Sequence, residues 1–551
     1  MLTLADIAAG SAGEFGSLPY VVLGAYLVVL LVLGYAGYRR GHDTEEDYYL
    51  AGRGQGWVVS SLTIMATFFS SFALLGAPGM VYREGVVFAL FALNVPLGGC
   101  AVFILGSRIA RVGRAKGYLT QADMLADYYG SNVALRLLVA LVGFLYAVPY
   151  VVMQINAGGL LAAAMFPGPY AFEIGAAVLA AITMLYIMVG GMRSVAWTDV
   201  VQGLLLILGM LLAGVATVAA LGGLRGFFQR VSELPPTSLS APGTTRYFNP
   251  SMLFTVVVFG SLGSMIQPAQ WMRYYAARST DTLRRSGLIF ALVLTACFLF
   301  GVMLVGLGGQ ALYPITIEAT AEGGVKAMPH PGVGDFDQIL IVVLKDQGPA
   351  LLGTFGAVAV TLIFVAIMAA SMSTADSNLH ALSAVLTRDV YDRFIKPDAS
   401  PRHRTWVGRI IIAAATVLSI VLVIVGRRNE HFNPVAMIAT LGFLAIAFSS
   451  QLLPVTIDML FIRRGTRAGA VAGLVTGIAI VGLFTPFFSM IAKGNAAGDR
   501  VLDLVTWLRP LLDLGACGLI GNVMVFVAVS LFTQKPDPQR IEETARIVRG
   551  E

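Results

Sequence analysis

The chain has 551 residues, of which 57% are hydrophobic and 12% charged, and its formal net charge is +6. So large an apolar share leaves too little polar material to cover a water-exposed surface, which excludes an ordinary soluble enzyme or binding domain. The basic excess is read as topology along a membrane chain, not as a nucleic-acid surface, and no nucleic-acid partner is expected.

The first twenty residues, MLTLADIAAGSAGEFGSLPY, lack the basic start and small-residue cleavage site of a signal peptide, so the first helix is expected to be retained. Apolar runs long enough to cross a bilayer as helices then recur at roughly 18–38, 57–80, 85–107, 137–166, 171–191, 197–222, 252–272, 286–312, 350–374, 406–426, 433–462, 468–491 and 511–533. They number about 13, which predicts an all-α polytopic membrane protein with the lipid bilayer as its surroundings. Cys100, Cys297 and Cys517 all fall inside such runs and suggest neither a disulfide framework nor a metal site. With the N-terminus outside and the C-terminus inside, roughly 26 of the 37 Lys and Arg become cytoplasmic, including those at 39–40, 108–116, 284–286 and 463–467. That orientation is expected, in the inner (plasma) membrane of a bacterium. The stretches 222–250 and 313–337 become external connectors, and the polar tail 533–551 a short helix or a loose end.

Gly and Pro interrupt several runs: GAPGM (76–80), AVPY (147–150), MIQPAQW (265–271) and SSQLLPV (449–455). A proline within a membrane helix frees a carbonyl, which is tolerated where it faces protein, water or a ligand. The interrupted runs 57–80 and 252–272 lie five spans apart, as the first members of two inverted five-helix halves do. The chain divides accordingly into an extra helix and loop (1–45), a core of two repeats (46–462), two peripheral helices (463–533) and a tail (534–551).

Three motifs carry chemistry: EEDYYLAGRG (45–54), GGMRSVAWTDVVQG (190–203) and AASMSTADSNLHALSAVLTRDVY (369–391). With RRGTRAGAVAGLVTG (463–477) they resemble the sodium:solute symporter family, from about residue 20 to 490. The resemblance implies a leucine-transporter-like fold of two inverted five-helix repeats and sodium as the co-transported ion. It also implies a sodium site made by the carbonyls of Ala66, Phe69 and Ala370 and the hydroxyls of Ser373 and Thr374. The chemistry agrees, since a hard cation takes oxygen ligands and a few neutral ones hold it weakly enough to let it leave. Ala370 lies one turn before Thr374, so both reach one patch of helix.

Asp199, in the WTD motif, is read in two ways: as a carboxylate on the sodium path, or as an interfacial residue at a helix N-terminus. Asp376 is read as a solvated helix-end residue, and Arg273 as snorkelling or pairing at the end of its span. Ser70, Ser71 and Ser264, beside the interruptions, are candidate solute ligands. Gln154 is another, and with Asn156 it has the alternative of an interhelical hydrogen bond.

The second core span offers Asn94 as its only polar side chain, which disfavours a sugar. Phe68 stands where proline carriers of the family have an aspartate, while PYVVMQ and SSQLLPV look more like the monocarboxylate and pantothenate branch. The expected solute is therefore a small organic acid. A proline-like amino acid with sodium, or proton coupling on the same fold, are the alternatives. No HExxH, paired intramembrane carboxylates or nucleophile–base grouping suggests an enzyme. The partners expected are the small-molecule solute and the bilayer, for a monomer or weak homo-oligomer.

Overall fold

The computed structural model describes residues 18–41, 44–166, 168–319, 325–428, 438–485, 488, 496–508 and 512–551. The N-terminal stretch before residue 18, the start of the expected span 433–462 and the end of 468–491 lie outside the described residues. The elements up to the middle of the chain are α1 (Leu18–Arg39), α2 (Glu45–Leu50), α3 (Trp57–Phe68), α4 (Phe72–Glu84), α5 (Val86–Lys116), α6 (Gln121–Tyr128), α7 (Val133–Met165), α8 (Ala171–Ala220) and α9 (Gly223–Ser232). They continue as α10 (Pro250–Met265), α11 (Pro268–Ala276), α12 (Thr280–Leu312), a hairpin of β1 (Thr316–Ala319) and β2 (Val325–Met328), and α13 (Ile339–Val385). The chain closes with α14 (Pro401–Arg428), α15 (Ile438–Ser450), α16 (Leu453–Ile462), α17 (Arg467–Leu483), α18 (Ala496–Leu508), α19 (Leu514–Phe532) and α20 (Pro538–Arg549).

Among the described residues, 8 helices are long and apolar enough to cross a membrane, or 11 if each of three bent pairs is one span. The sequence led to about 13, and the difference has two sources. The runs 171–191 and 197–222 form the 50-residue α8, turned at Gly191 (φ 57, ψ −151). There the positive φ needs glycine, and a Cβ would lie 2.5 Å from the Tyr48 carbonyl oxygen. α17, with 17 residues, is apolar but short. The hairpin and α18 had no counterpart in the sequence reading.

The three bends are 58° between α3 and α4, 50° between α10 and α11, and 43° between α15 and α16. Each of the first two pairs is followed by a long helix, α5 and α12, so the two halves of the chain begin alike. Backbone groups freed at a bend within a membrane need partners, and side chains supply them. At the first bend Ser70 Oγ accepts from Phe72 N at 3.1 Å, and Gln154 Oε1 accepts from Ser71 N at 3.1 Å. This bend falls at 69–71, ahead of the GAPGM that drew attention in the sequence; Gly76 and Gly79 are helical within α4. At the second, Pro268 opens α11, Gln267 caps it through Ala269 N at 3.0 Å, Tyr274 takes the Met265 carbonyl at 2.7 Å, and Gln121 takes that of Ile266. At the third, the Gln451 carbonyl accepts from Asn522 of α19 at 2.8 Å.

α8 and α13 pack along each other, with α1, α3 and α7 against them, and bury the apolar core. At the end of the bundle that carries the basic segments, an ionic network ties five regions. Arg136 of α7 pairs with Asp123 of α6 at 2.8 Å and with Asp389 beyond α13. Arg388 meets Asp392 at 3.2 Å, and Arg404 of α14 meets Asp392 at 2.7 Å and Glu45 of α2 at 3.3 Å. At the opposite end Asp337 Oδ2 accepts from Ile438 N at 2.6 Å. Burial, and then the charge of Asp335, push its carboxyl up to about 8.

Candidate functional site

Four oxygens meet where α3 ends against the middle of α13. Ser373 Oγ donates toward the Ala66 carbonyl at 3.1 Å and lies 3.2 Å from that of Ala370, and Thr374 Oγ1 reaches the same Ala66 carbonyl at 3.2 Å. All four residues are fully buried. Phe69 leaves the helical conformation (φ −86, ψ 81), which turns its carbonyl off the line of α3. Within a few ångströms there are thus two carbonyls and two hydroxyls, neutral and free to reorient their lone pairs. Such a set suits a monovalent hard cation.

One turn further along both helices the groups are charged. Thr63 of α3 donates to Asp199 of α8, whose Oδ2 also accepts from Arg273 at 3.0 Å. Arg273 spans the gap, donating to Thr63 Oγ1 at 2.9 Å, to the Ala269 carbonyl at 3.1 Å and to Ser377. Asp376 accepts from Tyr186 at 2.6 Å and from Ser377 at 2.9 Å. Arg273, Asp199 and Asp376 are at most 1% exposed. Asp376 is therefore not the solvated helix-end residue expected: α13 runs on well past it, so position 376 lies inside the bundle. Asp199 is likewise no interfacial carboxylate, and Arg273 pairs within the protein and does not snorkel. Arg273 pairs with Asp199 directly and is linked to Asp376 through Ser377, and Asp199 Oδ1 has no hydrogen-bond partner among the described residues.

The candidate solute ligands separate. Ser70, Ser71 and Gln154 come together at the first bend, where Ser70 also lies 3.4 Å from the Tyr150 hydroxyl. The Ser71 hydroxyl is buried without a partner among the described residues. Ser264 does not join them, because its hydroxyl bonds back to the Gly260 carbonyl one turn earlier in α10. Asn156 lies two residues beyond Gln154 and is buried. Beside the bend, Phe72, Phe91 and Phe443 form a ring cluster with centroids 5.6 to 5.9 Å apart.

Sequence reasoning passed over Thr63, Thr67, Tyr150, Tyr186 and Ser377. The signal for two of them was present: Ser60, Thr63, Thr67 and Ser70 recur at three- and four-residue spacing, a polar stripe on an apolar helix. Thr67 Oγ1 lies 3.1 Å from Ser377 Oγ, so the stripe faces α13.

Residues 48–477 match the sodium:solute symporter family. The chain belongs to that family. A sodium/proline symporter of Staphylococcus aureus (strain bovine RF122 / ET3-1) is 25% identical over 539 residues, covering 94% of this chain and 93% of the relative. Its counterpart from strain JH9 is 25% identical over 538 residues, with the same coverage. Among solved structures, the substrate-bound outward-open state of a Na+-coupled sialic acid symporter covers 95% of this chain and 100% of its own, with a TM-score of 0.73 at 19% identity. A nucleobase-cation-symport-1 family transporter, in a closed conformation with bromovinylhydantoin bound, matches with a TM-score of 0.50 at 14% identity over 91% of this chain and 98% of its own. The fold is the leucine-transporter-like inverted repeat. The chain is an integral membrane symporter, sodium is its co-transported ion and its substrate is a small molecule.

Proposed function

We propose that this symporter imports a small amino acid of the proline type with sodium, by alternating access to a site at the first bend. The ion is held by the carbonyls of Ala66, Phe69 and Ala370 and the hydroxyls of Ser373 and Thr374. The observation that carries this reading is the convergence of both hydroxyls of α13 on the Ala66 carbonyl of α3. When the ion enters, the hydroxyl protons turn away and the lone pairs face it, so binding costs little reorganisation. Asp199, with one carboxylate oxygen unpartnered one turn away, lies on the path by which the ion leaves.

The solute rests against Ser70, Ser71 and Gln154, with the Phe72, Phe91 and Phe443 rings as an apolar wall. A short zwitterion with an apolar body fits that division: its carboxylate meets the backbone and hydroxyl donors at the start of α4, and its ammonium the faces of the rings. The two Staphylococcus aureus relatives, matched over 94% of this chain, are sodium/proline symporters and support the amino acid over the organic acid expected from sequence. Phe68, which contributes no carboxylate and packs edge-to-face with Phe290 at 5.0 Å, favours a small monocarboxylate as the second reading. The N-terminus lies outside a bacterial plasma membrane, and the basic end of the bundle is cytoplasmic.

Uptake of labelled L-proline into proteoliposomes under an inward sodium gradient separates the two. The account expects uptake that excess unlabelled proline abolishes and short monocarboxylates leave unchanged. Monocarboxylate uptake without proline uptake would establish the second reading instead.

A further inference from the structure

A cavity of about 570 Å³ opens on the flank of the bundle at its basic end, away from the ion site. Four elements wall it: the end of α5, the start of α12, the end of α16 with the turn after it, and α20. Arg108, Arg111, Arg284, Arg463 and Arg549 line it, and no lining residue is acidic. Arg549 pairs with Glu551 at 2.9 Å and Glu542 at 3.6 Å, and among the described residues none of the other four makes an ion pair. Their contacts within the protein are to carbonyls and rings. Arg108 donates to the Ile104 carbonyl at 2.9 Å and lies 4.8 Å over the Phe461 ring; Arg463 donates to the Leu460 carbonyl at 3.1 Å. Arg284 sits 5.7 Å over the Phe103 ring, and Arg111 holds α20 through the Val548 carbonyl.

Four guanidinium groups without acidic partners, turned into one concavity, repel one another, and an anion among them relieves that repulsion. The remaining lining is apolar: Phe103 and Phe461 are 47% and 40% exposed on the flank that faces the hydrocarbon. A soluble anion would use the arginines and leave the exposed faces of those rings uncovered, whereas a molecule with a phosphate head and acyl chains uses both. We propose that this cavity binds the headgroup of an anionic phospholipid from the leaflet at the basic end, with its chains along Phe103 and Phe461. Because α20 closes one side through Val548 and Arg549, the lipid also fastens the C-terminal helix to the transport core.

The test uses the full-length protein, released from detergent for native mass spectrometry after incubation with phosphatidylglycerol or with phosphatidylcholine of the same chains. Wild type is expected to retain phosphatidylglycerol in preference, and R108Q/R284Q/R463Q to lose that preference by about tenfold or more. The corresponding triple lysine variant, which keeps the charge, should recover most of it. R285Q should behave as wild type, since Arg285 is exposed and paired with Asp281 on the same helix. Equal retention of both lipids by wild type, or undiminished preference in the triple glutamine variant, would overturn the proposal. Displacement of the lipid by inorganic phosphate alone would overturn the lipid assignment in favour of a soluble anion. Should the triple glutamine variant fail to fold, a photoactivatable phosphatidylglycerol decides with wild type: labelling within 103–111 and 458–464 supports the site, and labelling only elsewhere refutes it.

Discussion

At the residue scale, the hydroxyls of Ser373 and Thr374 both reach the Ala66 carbonyl in the last turn of α3, where Ser70 N bonds to Phe68 instead, and Ser373 also lies by the Ala370 carbonyl. Either single substitution to alanine leaves the other hydroxyl on the Ala66 carbonyl, so it costs the fold little and removes one ligand from the proposed ion site. A net contribution of about 1–2 kcal/mol per ligand corresponds to roughly tenfold in ion affinity. Ser373→Ala and Thr374→Ala should each raise the sodium concentration for half-maximal uptake by about tenfold, at nearly unchanged thermal stability in detergent. Unchanged sodium dependence in both variants would remove them from the ion site. That these two hydroxyls meet a carbonyl of α3 was legible in the sequence, because hydroxyls in tandem after an uncharged run are rare and the surrounding motif resembled a family. Asp376, three residues on, was misread for a physical reason: an acid after an apolar run looks like the end of a span. Only the continuation of α13 through a polar but buried stretch, with Tyr186 and Ser377 answering the carboxylate, shows it to be interior.

At the element scale, the amides freed where α3 bends into α4 are met by Ser70 within the bend and by Gln154 of α7, and the bend lies ahead of the glycines and proline at 76–80. Sequence periodicity registers a proline, but it has no signature for a distant amide that caps a broken helix. That is why the existence of the bend was readable and its position was not. The pairing in the ionic network at the basic end had no sequence signal: Glu45, Arg388 and Asp389 lie inside two of the motifs, but nothing along the chain says which charges meet. Arg136 joins α6 and α7 to the end of α13, and the Asp389 side chain that it pairs with is 0% exposed. Loss of one partner of a buried pair is costly, because the other charge stays behind. Arg136→Gln should loosen this end, so that a cysteine introduced at the buried Thr387 reacts with a maleimide several-fold faster than in an otherwise unaltered Thr387→Cys protein. Equal labelling rates would show that the network does not hold the end closed.

At the scale of the whole molecule, two halves that each begin with a bent helix surround a site that neither half contains alone. α3 supplies carbonyls from the first half and α13 hydroxyls from the second, so in the proposed site the ion is bound by the relation between the halves. An ion held in this way favours the arrangement in which the two helices are close, and its departure releases it. The energy for uphill transport is then the sodium gradient and the membrane potential, about 2.3 kcal/mol per charge for each 100 mV. The all-helical class, the family and the ion were legible from composition and motifs; the solute was not, because the lining at the first bend is mostly backbone and aromatic rings, which many small solutes share. The most direct measurement is uptake into proteoliposomes with sodium and proton gradients imposed separately. Labelled L-proline should accumulate above its external concentration under an inward sodium gradient, in a manner abolished in the Ser373→Ala/Thr374→Ala double variant, and should not accumulate under a proton gradient alone. Accumulation driven by protons with sodium absent, and unaffected by the double substitution, would contradict the account.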